Sequence, residues 1–301
     1  MDTPIIHKSV LLQQSVDGLD LKKGDVFVDA TLGGGGHSEA VCSVTQGEAT
    51  IIGIDADPKA IERSEKRLSK MKCKTFFKQS NFRHIDKVLS EVGINQIDKI
   101  LFDLGLSSQE IQESGRGFTF QKNEPLLMTF SEEQKPGDLT AKEIVNNWDE
   151  ENLETIISSY GEERYAKKIA RMIVEYRSKK LIDTTFDLVE IIKMATPIKY
   201  HHGKIHPATR TFQALRMTVN DEVRALSEAL EKAFEYLKPE GRIAVISFHS
   251  IEDRIVKHYF KKLIEEGRAQ RITKKPIIPT DEEIIENPRA RSAKLRIISK
   301  I

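Results

Sequence analysis

The chain of 301 residues is 39% hydrophobic and 31% charged, and its formal net charge is +1. This composition is typical of a globular protein with a sizeable core, and it excludes a protein that attracts nucleic acid through its overall charge. No apolar run approaches the ~20 residues of a membrane span. Any binding of nucleic acid would therefore need local basic patches.

The first half of the chain alternates short β-branched or aromatic runs with amphipathic stretches. Val26-Phe27-Val28 predicts a buried strand, and the glycines at 33–36 predict a tight turn into a helix that Ser38 is expected to cap. Further strands are predicted at 49–55, 74–78 and 97–103, with helices between them. Such alternation indicates βαβ units and a parallel sheet.

Residues 112–205 contain no convincing strand and predict a run of helices. Thr140 to Glu143 has the spacing of a capping box, and Asp149 is placed to cap the next helix. We therefore expect an all-helical domain, inserted into an α/β domain and used for substrate recognition.

The α/β pattern resumes after the insert. A long helix is followed by a strand at 241–248, another helix, and two last strands at 270–274 and 293–299. The expected α/β domain therefore consists of residues 1–111 and 206–301, and the inserted helical domain of residues 112–205.

Cys42 and Cys73 belong to no CxxC pair. We expect them to be reduced thiols in a cytoplasmic protein rather than a disulfide or a metal site. The N-terminal residues lack the basic and apolar pattern of a secretory signal, which agrees with this expectation.

Three predicted strands end on a carboxylate, namely Asp29, Asp55 and Asp103. The carboxyl ends of parallel strands form the edge at which open α/β sheets bind ligands. Asp55 lies 20 residues after Gly35, a spacing from which a carboxylate binds the ribose of NAD or S-adenosylmethionine. A glycine turn without a ligand, and aspartates that only cap helices, are the alternatives. A dehydrogenase does not need Asp103-Leu104-Gly105 at a strand end. The presence of this motif therefore favours S-adenosylmethionine over NAD.

Several motifs spread along the chain are more specific than a glycine turn. They are Asp29-Ala30-Thr31-Leu32-Gly33-Gly34-Gly35-Gly36-His37-Ser38, Ser80-Asn81-Phe82, Asp103-Leu104-Gly105, Tyr160-Gly161-Glu162-Glu163-Arg164, Ser247-Phe248-His249-Ser250 and Asn287-Pro288-Arg289-Ala290-Arg291-Ser292. In these motifs the chain resembles, from end to end, the bacterial 16S rRNA (cytosine N4)-methyltransferase family.

This resemblance implies a class I methyltransferase fold: an α/β, Rossmann-like sheet that is mostly parallel, with seven strands of which the last is antiparallel. It implies methyl transfer from S-adenosyl-L-methionine to the exocyclic N4 amine of a cytidine in the decoding region of 16S rRNA, within the small ribosomal subunit. Asp103 is the candidate catalytic residue. The family's cofactor contacts carry over to Gly35, Gly36, His37, Asp55, Phe82 and Asp103.

Two stretches depart from the family's pattern. Ser107-Ser108-Gln109-Glu110 replaces the usual Ser-Ser-Pro-Gln, so a further cofactor contact would fall on Glu110, with Gln109 beside it. Leu127 and Thr129 stand where the family has an acid and an arginine. These differences favour a rival hypothesis, a ribosome-binding or assembly protein that keeps the cofactor fold with weak or lost catalysis.

His201, His202 and His206 have no carboxylate or cysteine at ligand spacing, so we expect a polar loop and no metal. His249 ends a predicted strand, and a catalytic, substrate-side role and a structural role are equally compatible with that position. Basic residues cluster at 199–210, 268–275 and 289–296, where we expect phosphate contacts.

Overall fold

The computed structural model describes residues 9–105, 111, 114–131, 137–203 and 205–301. The chain divides into two compact units. The first unit comprises Met1–Gly105 and Val223–Ile301, and the second comprises Leu106–Glu222.

The first unit is built on a seven-stranded sheet with the strand order β3-β2-β1-β4-β5-β7-β6. Its strands are β1 Val26–Asp29, β2 Thr50–Asp55, β3 Lys74–Gln79, β4 Ile97–Asp103, β5 Leu237–Ser247, β6 Ala269–Arg271 and β7 Lys294–Lys300. Strands β1 to β5 pair in parallel, whereas β7 runs antiparallel to both β5 and β6. The mostly parallel sheet with an antiparallel last strand is therefore confirmed.

The helices of the described chain are α1 Leu12–Leu19, α2 Gly36–Val44, α3 Pro58–Leu68, α4 Ile85–Glu91, α5 Ala141–Asn147, α6 Glu150–Ser159, α7 Ala166–Arg177, α8 Thr185–Ala195, α9 Ile198–His201, α10 Thr209–Val219, α11 Glu222–Tyr236, α12 Ser250–Glu265 and α13 Asp281–Glu286. Short 3₁₀ turns lie at Phe82–His84 and Pro288–Ser292. In this part of the chain no helix is long and apolar enough to cross a membrane.

Successive side chains of a strand point to opposite faces of the sheet. In β1 and β4 the side chains on both faces are buried. Val28 and Phe102 pack into one apolar cluster with residues of α4, α11 and α12. Phe27 and Leu101 pack into another cluster with residues of α1 and α2. Burial on both faces explains why these strands are continuously apolar in the sequence.

Cys42 and Cys73 form a disulfide, with their Cα atoms 5.8 Å apart. The prediction of two reduced thiols is therefore wrong. Cys42 lies on α2 and Cys73 immediately precedes β3, and both pack into the same apolar cluster as Phe27. Their meeting is decided by tertiary packing across 31 residues, which their spacing in the sequence does not reveal.

The second unit packs helices α5, α6, α7, α8 and α10 around its own apolar core. Thr140 forms the predicted capping box with Glu143, and the Asp149 side chain accepts a hydrogen bond from the Asn152 N–H, as an N-cap does. The unit extends beyond the predicted boundary at residue 205, because Phe212 of α10 packs into this core.

Candidate functional site

The glycine turn between β1 and α2 is held in place by side chains from β2 and α3. The Gly33 N–H donates to Asp55 Oδ2 at 2.8 Å. Ser64 Oγ donates to the Gly33 carbonyl at 3.1 Å, and Arg67 Nη1 donates to the Gly34 carbonyl at 2.8 Å. The turn is therefore fixed by contacts from outside as well as by its own backbone.

Two of these glycines satisfy requirements that other residues would not. Gly35 has φ +72°, and a Cβ there would lie 2.8 Å from Ser64 Oγ. A Cβ on Gly36 would collide with Ser9 Oγ. The absence of side chains lets the backbone pass close to its neighbours and leaves the N–H groups of the first turn of α2 accessible.

Ser38 does not cap α2, so that prediction is wrong. The N-cap is Gly35, and Ser38 lies inside the first turn, where its Oγ donates to Asp29 Oδ2 at 2.7 Å. Asp29 is only 1% exposed. Burial raises the pKa of the Asp29 carboxyl, although the nearby His37 and the hydrogen bond from Ser38 oppose the increase. Asp29 therefore anchors the start of α2 from the end of β1.

His37 and Asp103 meet at the same edge of the sheet. His37 Nε2 lies 3.4 Å from Asp103 Oδ2, and the side chains are 6% and 19% exposed. Within the described residues, both ring nitrogens of His37 and Oδ1 of Asp103 are buried without a hydrogen-bond partner. Buried polar atoms normally have partners, so these unmatched atoms are candidate contacts for a ligand.

Asp55 and Phe82 lie at the ends of β2 and β3. Besides the Gly33 N–H, Asp55 accepts the Asp57 N–H through Oδ1 at 2.9 Å. The carboxylate thus organises the turn between β1 and α2. The Phe82 ring packs edge-on against Phe102 of β4, with centroids 5.9 Å apart and planes at 88°. This contact fixes a half-buried aromatic ring beside the site.

His249 is the N-cap of α12. Its Nδ1 accepts the Glu252 N–H at 3.4 Å, and its Nε2 lies 3.0 Å from Glu252 Oε1. The Glu252 carboxylate in turn accepts the His249 N–H at 3.3 Å. The structure therefore gives His249 a capping role, and a catalytic role for it stays a prediction.

Glu110 and Gln109 lie outside the described residues, so the further cofactor contact stays a prediction. Leu127 and Thr129 both lie in the second unit. The Leu127 carbonyl accepts the Ala141 N–H at 3.0 Å, at the start of α5. Thr129 Oγ1 donates to the Ser131 carbonyl at 3.0 Å. Both residues are thus integrated into the local structure of the helical unit.

Two of the three histidines considered as metal ligands, His201 and His206, have other partners in the helical unit. His201 Nε2 is hydrogen-bonded to Thr196 Oγ1 at 2.9 Å. The His206 ring stacks on Phe120 at 4.4 Å, and its Nδ1 accepts the Ala208 N–H at 3.2 Å. Burial lowers the pKa of His206, and the positive charge of Lys193 adds to this effect. These contacts account for His201 and His206 as structural residues.

Part of the basic clusters in the first unit is neutralised locally. Arg268 pairs with Glu235 at 2.6 Å, and Arg296 and Lys294 both pair with Asp253. Phosphate contacts by residues 268–275 and 289–296 therefore stay a prediction that rests on the other basic residues of these segments.

Sequence reasoning found the residues at the strand ends but missed the residues that support them. Ser64 and Arg67 are one turn apart on α3, and Thr31 Oγ1 accepts the Asp103 N–H at 2.6 Å. The spacing of Ser64 and Arg67 places them on one face of a helix, which is a usable signal. Their partners lie more than 30 residues away, and no local pattern identifies such partners.

The model of the MraW methylase family matches residues 4–301. A relative named Ribosomal RNA small subunit methyltransferase H, from Sulfurihydrogenibium sp. (strain YO3AOP1), is 48% identical over 98% of this chain and 99% of its own length. A relative of the same name from Brevibacillus brevis is 42% identical over 98% of each chain. Among solved structures, an rRNA methylase from Streptococcus thermophilus covers 98% of each chain at 12% identity, with a TM-score of 0.47.

Proposed function

Since the chain belongs to the MraW methylase family, we propose that it transfers a methyl group from S-adenosylmethionine to the exocyclic N4 amine of a cytidine in the decoding region of 16S rRNA. The relatives named for methylation of small-subunit ribosomal RNA support the substrate class. The resemblance of the sequence motifs supports the cytidine amine as the target. The protein acts in the cytoplasm, where its RNA is assembled into the small ribosomal subunit.

One observation of the structure carries this proposal. The buried His37 and the partly buried Asp103 present buried polar atoms without protein hydrogen-bond partners beside a glycine turn that is fixed from outside. An empty structural turn would not need unmatched buried polar groups, since leaving such a group unsatisfied costs roughly 1–3 kcal/mol. A polar ligand at this edge removes that cost.

The residues present fit S-adenosylmethionine. When bound, this cofactor supplies an electrophilic methyl carbon on a sulfonium. Gly35, Gly36 and the backbone of His37 would hold its methionine part, since the N–H groups at the start of α2 favour a carboxylate. Asp55 would accept the ribose hydroxyls, and the partly exposed Phe82 would cover the adenine.

Asp103 holds and deprotonates the target amine. The cytosine amine is a weak nucleophile, because its lone pair is conjugated with the ring. The Asp103 carboxylate accepts an N–H of this amine and thereby aligns the lone pair with the methyl carbon. The new N–C bond would replace the C–S bond of the sulfonium, whose electron pair would stay on the sulfur as a neutral thioether. The amine would gain positive charge, and Asp103 would take up the proton that the amine releases. The bond between the Asp103 N–H and Thr31 Oγ1 fixes the backbone from which the carboxylate projects.

Methyl transfer from radiolabelled S-adenosylmethionine to unmethylated small ribosomal subunits tests this function. We expect Asp103→Asn to lower kcat by about 100-fold or more, since general base catalysis typically contributes 10²–10⁴-fold. The far-UV circular dichroism should remain that of the wild type. Asp86→Asn is the matched control, because Asp86 pairs with Lys232 and is not among the residues assigned to the site, and it should retain full activity.

Full activity of Asp103→Asn would refute the assignment of Asp103. A wild-type protein that binds the subunit but transfers no methyl group at saturating cofactor would instead favour the ribosome-binding protein, which the replacements Leu127 and Thr129 suggest.

A further inference from the structure

The helical unit contains a cavity of about 650 Å³ that lies entirely within this unit. Its walls come from the start of α7, from α9 and from the start of α10. Its lining includes Arg164, Tyr165, Lys199, Tyr200 and Arg210. None of them belongs to the site at the strand ends of the first unit.

A guanidinium group lies over two aromatic rings in this cavity. The Arg164 guanidinium carbon is 4.8 Å from the Tyr165 ring centroid and 4.7 Å from that of Tyr200. The two rings meet edge to face, with centroids 5.0 Å apart. All three groups are flat and at least partly exposed, so they offer surfaces on which another planar ring can stack.

A buried carboxylate organises this cluster. Glu163 is only 3% exposed. Its Oε2 accepts the Tyr200 hydroxyl at 2.5 Å, and its Oε1 accepts the Tyr165 N–H at 2.9 Å. Burial, together with the hydrogen bond to Glu163, raises the pKa of Tyr200 to about 12, so the hydroxyl remains a donor at neutral pH. Glu163 therefore holds the Tyr200 ring through its hydroxyl and the backbone of Tyr165 through its N–H.

The rim of the cavity is positive. Arg164 and Lys199 are exposed. Arg210 Nη1 donates to the Glu162 carbonyl at 3.0 Å, a contact that does not neutralise the charge of the guanidinium group. Lys168 lies 5.9 Å from the Tyr165 ring. The carboxylate of Glu163 is turned inward towards tyrosine donors. A ligand with planar rings and several negative charges matches this surface.

We propose that Arg164, Tyr165 and Tyr200, with Lys199 and Arg210, form a binding site for single-stranded RNA on the helical unit. One base stacks on the Tyr–Arg cluster, while Lys199 and Arg210 contact the adjoining phosphates. Aromatic stacking beside cations is the general way in which proteins hold unpaired nucleotides. This inference rests on the proposed function, because it identifies the part of the helical unit that holds the RNA substrate.

Binding of a fluorescent single-stranded RNA oligonucleotide to the full-length protein tests the site. We expect Tyr200→Ala and Arg164→Ala each to weaken binding by about 5- to 100-fold, as removal of a stacking partner does. Lys199→Ala should reduce the slope of log K against log[salt] by about 0.7, the value for one phosphate contact on a single strand.

Two controls separate stacking from folding and from overall charge. Tyr200→Phe keeps the ring and should bind RNA within about threefold of the wild type, even if it loses some stability with the hydrogen bond to Glu163. Lys167→Ala removes an exposed cation next in sequence to the cluster but outside the cavity, and it should leave binding unchanged. Equal losses in Lys167→Ala and Arg164→Ala would overturn the proposal.

Methyl transfer to small subunits, measured with the same variants, distinguishes this inference from the proposed function. We expect Tyr200→Ala to raise the KM for the subunit, with kcat and the KM for S-adenosylmethionine unchanged. If the wild type transfers methyl groups and Tyr200→Ala binds and reacts as the wild type does, this inference fails and the proposed function stands. If the wild type transfers no methyl group but loses RNA binding on Tyr200→Ala, the proposed function fails and the RNA site stands.

Discussion

At the scale of single residues, the proposed cofactor site depends on how closely backbone and side chains approach one another in the glycine turn. Gly35 adopts a left-handed conformation directly against Ser64 of α3. Any side chain at residue 35 must both adopt an unfavourable φ and displace Ser64, which itself holds the turn through the Gly33 carbonyl. The turn and its support therefore cannot be changed independently.

Gly35→Ala should lower both stability and the affinity for S-adenosylmethionine. The left-handed conformation costs about 1–2 kcal/mol for a residue with a Cβ, and the contact with Ser64 adds to this cost. We expect the Kd for the cofactor, measured by isothermal titration calorimetry, to rise at least tenfold.

Gly24→Ala is the matched control for this substitution. Gly24 has φ +84°, but a Cβ there would meet no atom within 4 Å. The Gly24→Ala variant should have a lower Tm, because alanine adopts this φ less readily than glycine, and it should bind the cofactor with unchanged affinity. A Gly35→Ala variant that behaves like Gly24→Ala would contradict the importance of the close approach.

Asp29, Asp55 and Asp103 could be placed from the sequence because each ends an apolar run, and parallel strands bring their carboxyl ends together. The interpretation of Ser38 as a helix cap failed at the same scale. Ser38 is one of several polar residues near the helix start, and the buried Asp29 bonds to it instead. Choosing between these partners needs the three-dimensional position of β1.

At the scale of elements, the antiparallel strand β7 is fastened to α12 by one carboxylate. Asp253 accepts Arg296 Nε at 2.7 Å and Lys294 Nζ at 3.2 Å. Its side chain is 13% exposed. Burial works to raise the pKa of Asp253, but the hydrogen bonds from Arg296 and Lys294 outweigh it and hold the pKa below its ordinary value of 3.8.

This lowered pKa predicts how stability depends on pH. A carboxyl whose pKa is lower in the folded state stabilises that state above its unfolded pKa, and the contribution disappears as pH falls through the folded pKa. Asp253→Asn should therefore lower the free energy of unfolding at pH 7 by about 1–3 kcal/mol. The difference from the wild type should shrink below pH 3.8. Urea titrations of both proteins at several pH values measure this difference in the free energy of unfolding.

Glu265→Gln provides the comparison on the same helix, since Glu265 pairs with Lys261 in an exposed position. Exposed pairs contribute little, so this variant should unfold as the wild type does at every pH. If Asp253→Asn lowered the free energy of unfolding by the same amount at every pH, the ionised form of Asp253 would not be what holds β7.

At the scale of the whole molecule, the protein has two units with separate apolar cores. Ile100 of β4 is fully buried in the core of the first unit, and Ile144 of α5 is fully buried in the core of the second. Each core supplies its own hydrophobic stabilisation, so we expect the two units to respond separately to substitutions and to ligands.

Ile144→Ala should destabilise the helical unit by about 2–5 kcal/mol, and Ile100→Ala should destabilise the α/β unit by a similar amount. Differential scanning calorimetry should resolve two transitions, and each variant should shift only one of them. S-adenosylmethionine should raise the transition that Ile100→Ala lowers and leave the other in place, because a ligand stabilises the unit that binds it. A single transition that both variants and the cofactor shift alike would rule out separate units.

Most of the architecture could be predicted because it follows from local patterns. The alternation of apolar runs and helices predicts the parallel sheet, and the capping box of Thr140 and Glu143 predicts where α5 begins. The end of the helical unit could not be located in this way. Ala208 and Phe212 are apolar residues that suit either core, and only the packing of α10 on α5 and α6 assigns them to the second unit.

The disulfide between Cys42 and Cys73 closes a covalent ring that contains part of the proposed cofactor site. Asp55, Ser64 and Arg67, which hold the glycine turn from outside, all lie inside this ring, and α2 begins just before it. The ring lowers the conformational entropy of the unfolded chain, which is worth roughly 3–4 kcal/mol for a loop of this length. A protease cut between Cys42 and Cys73 would leave the two fragments joined by the disulfide. The residues that hold the glycine turn would then remain covalently attached to it.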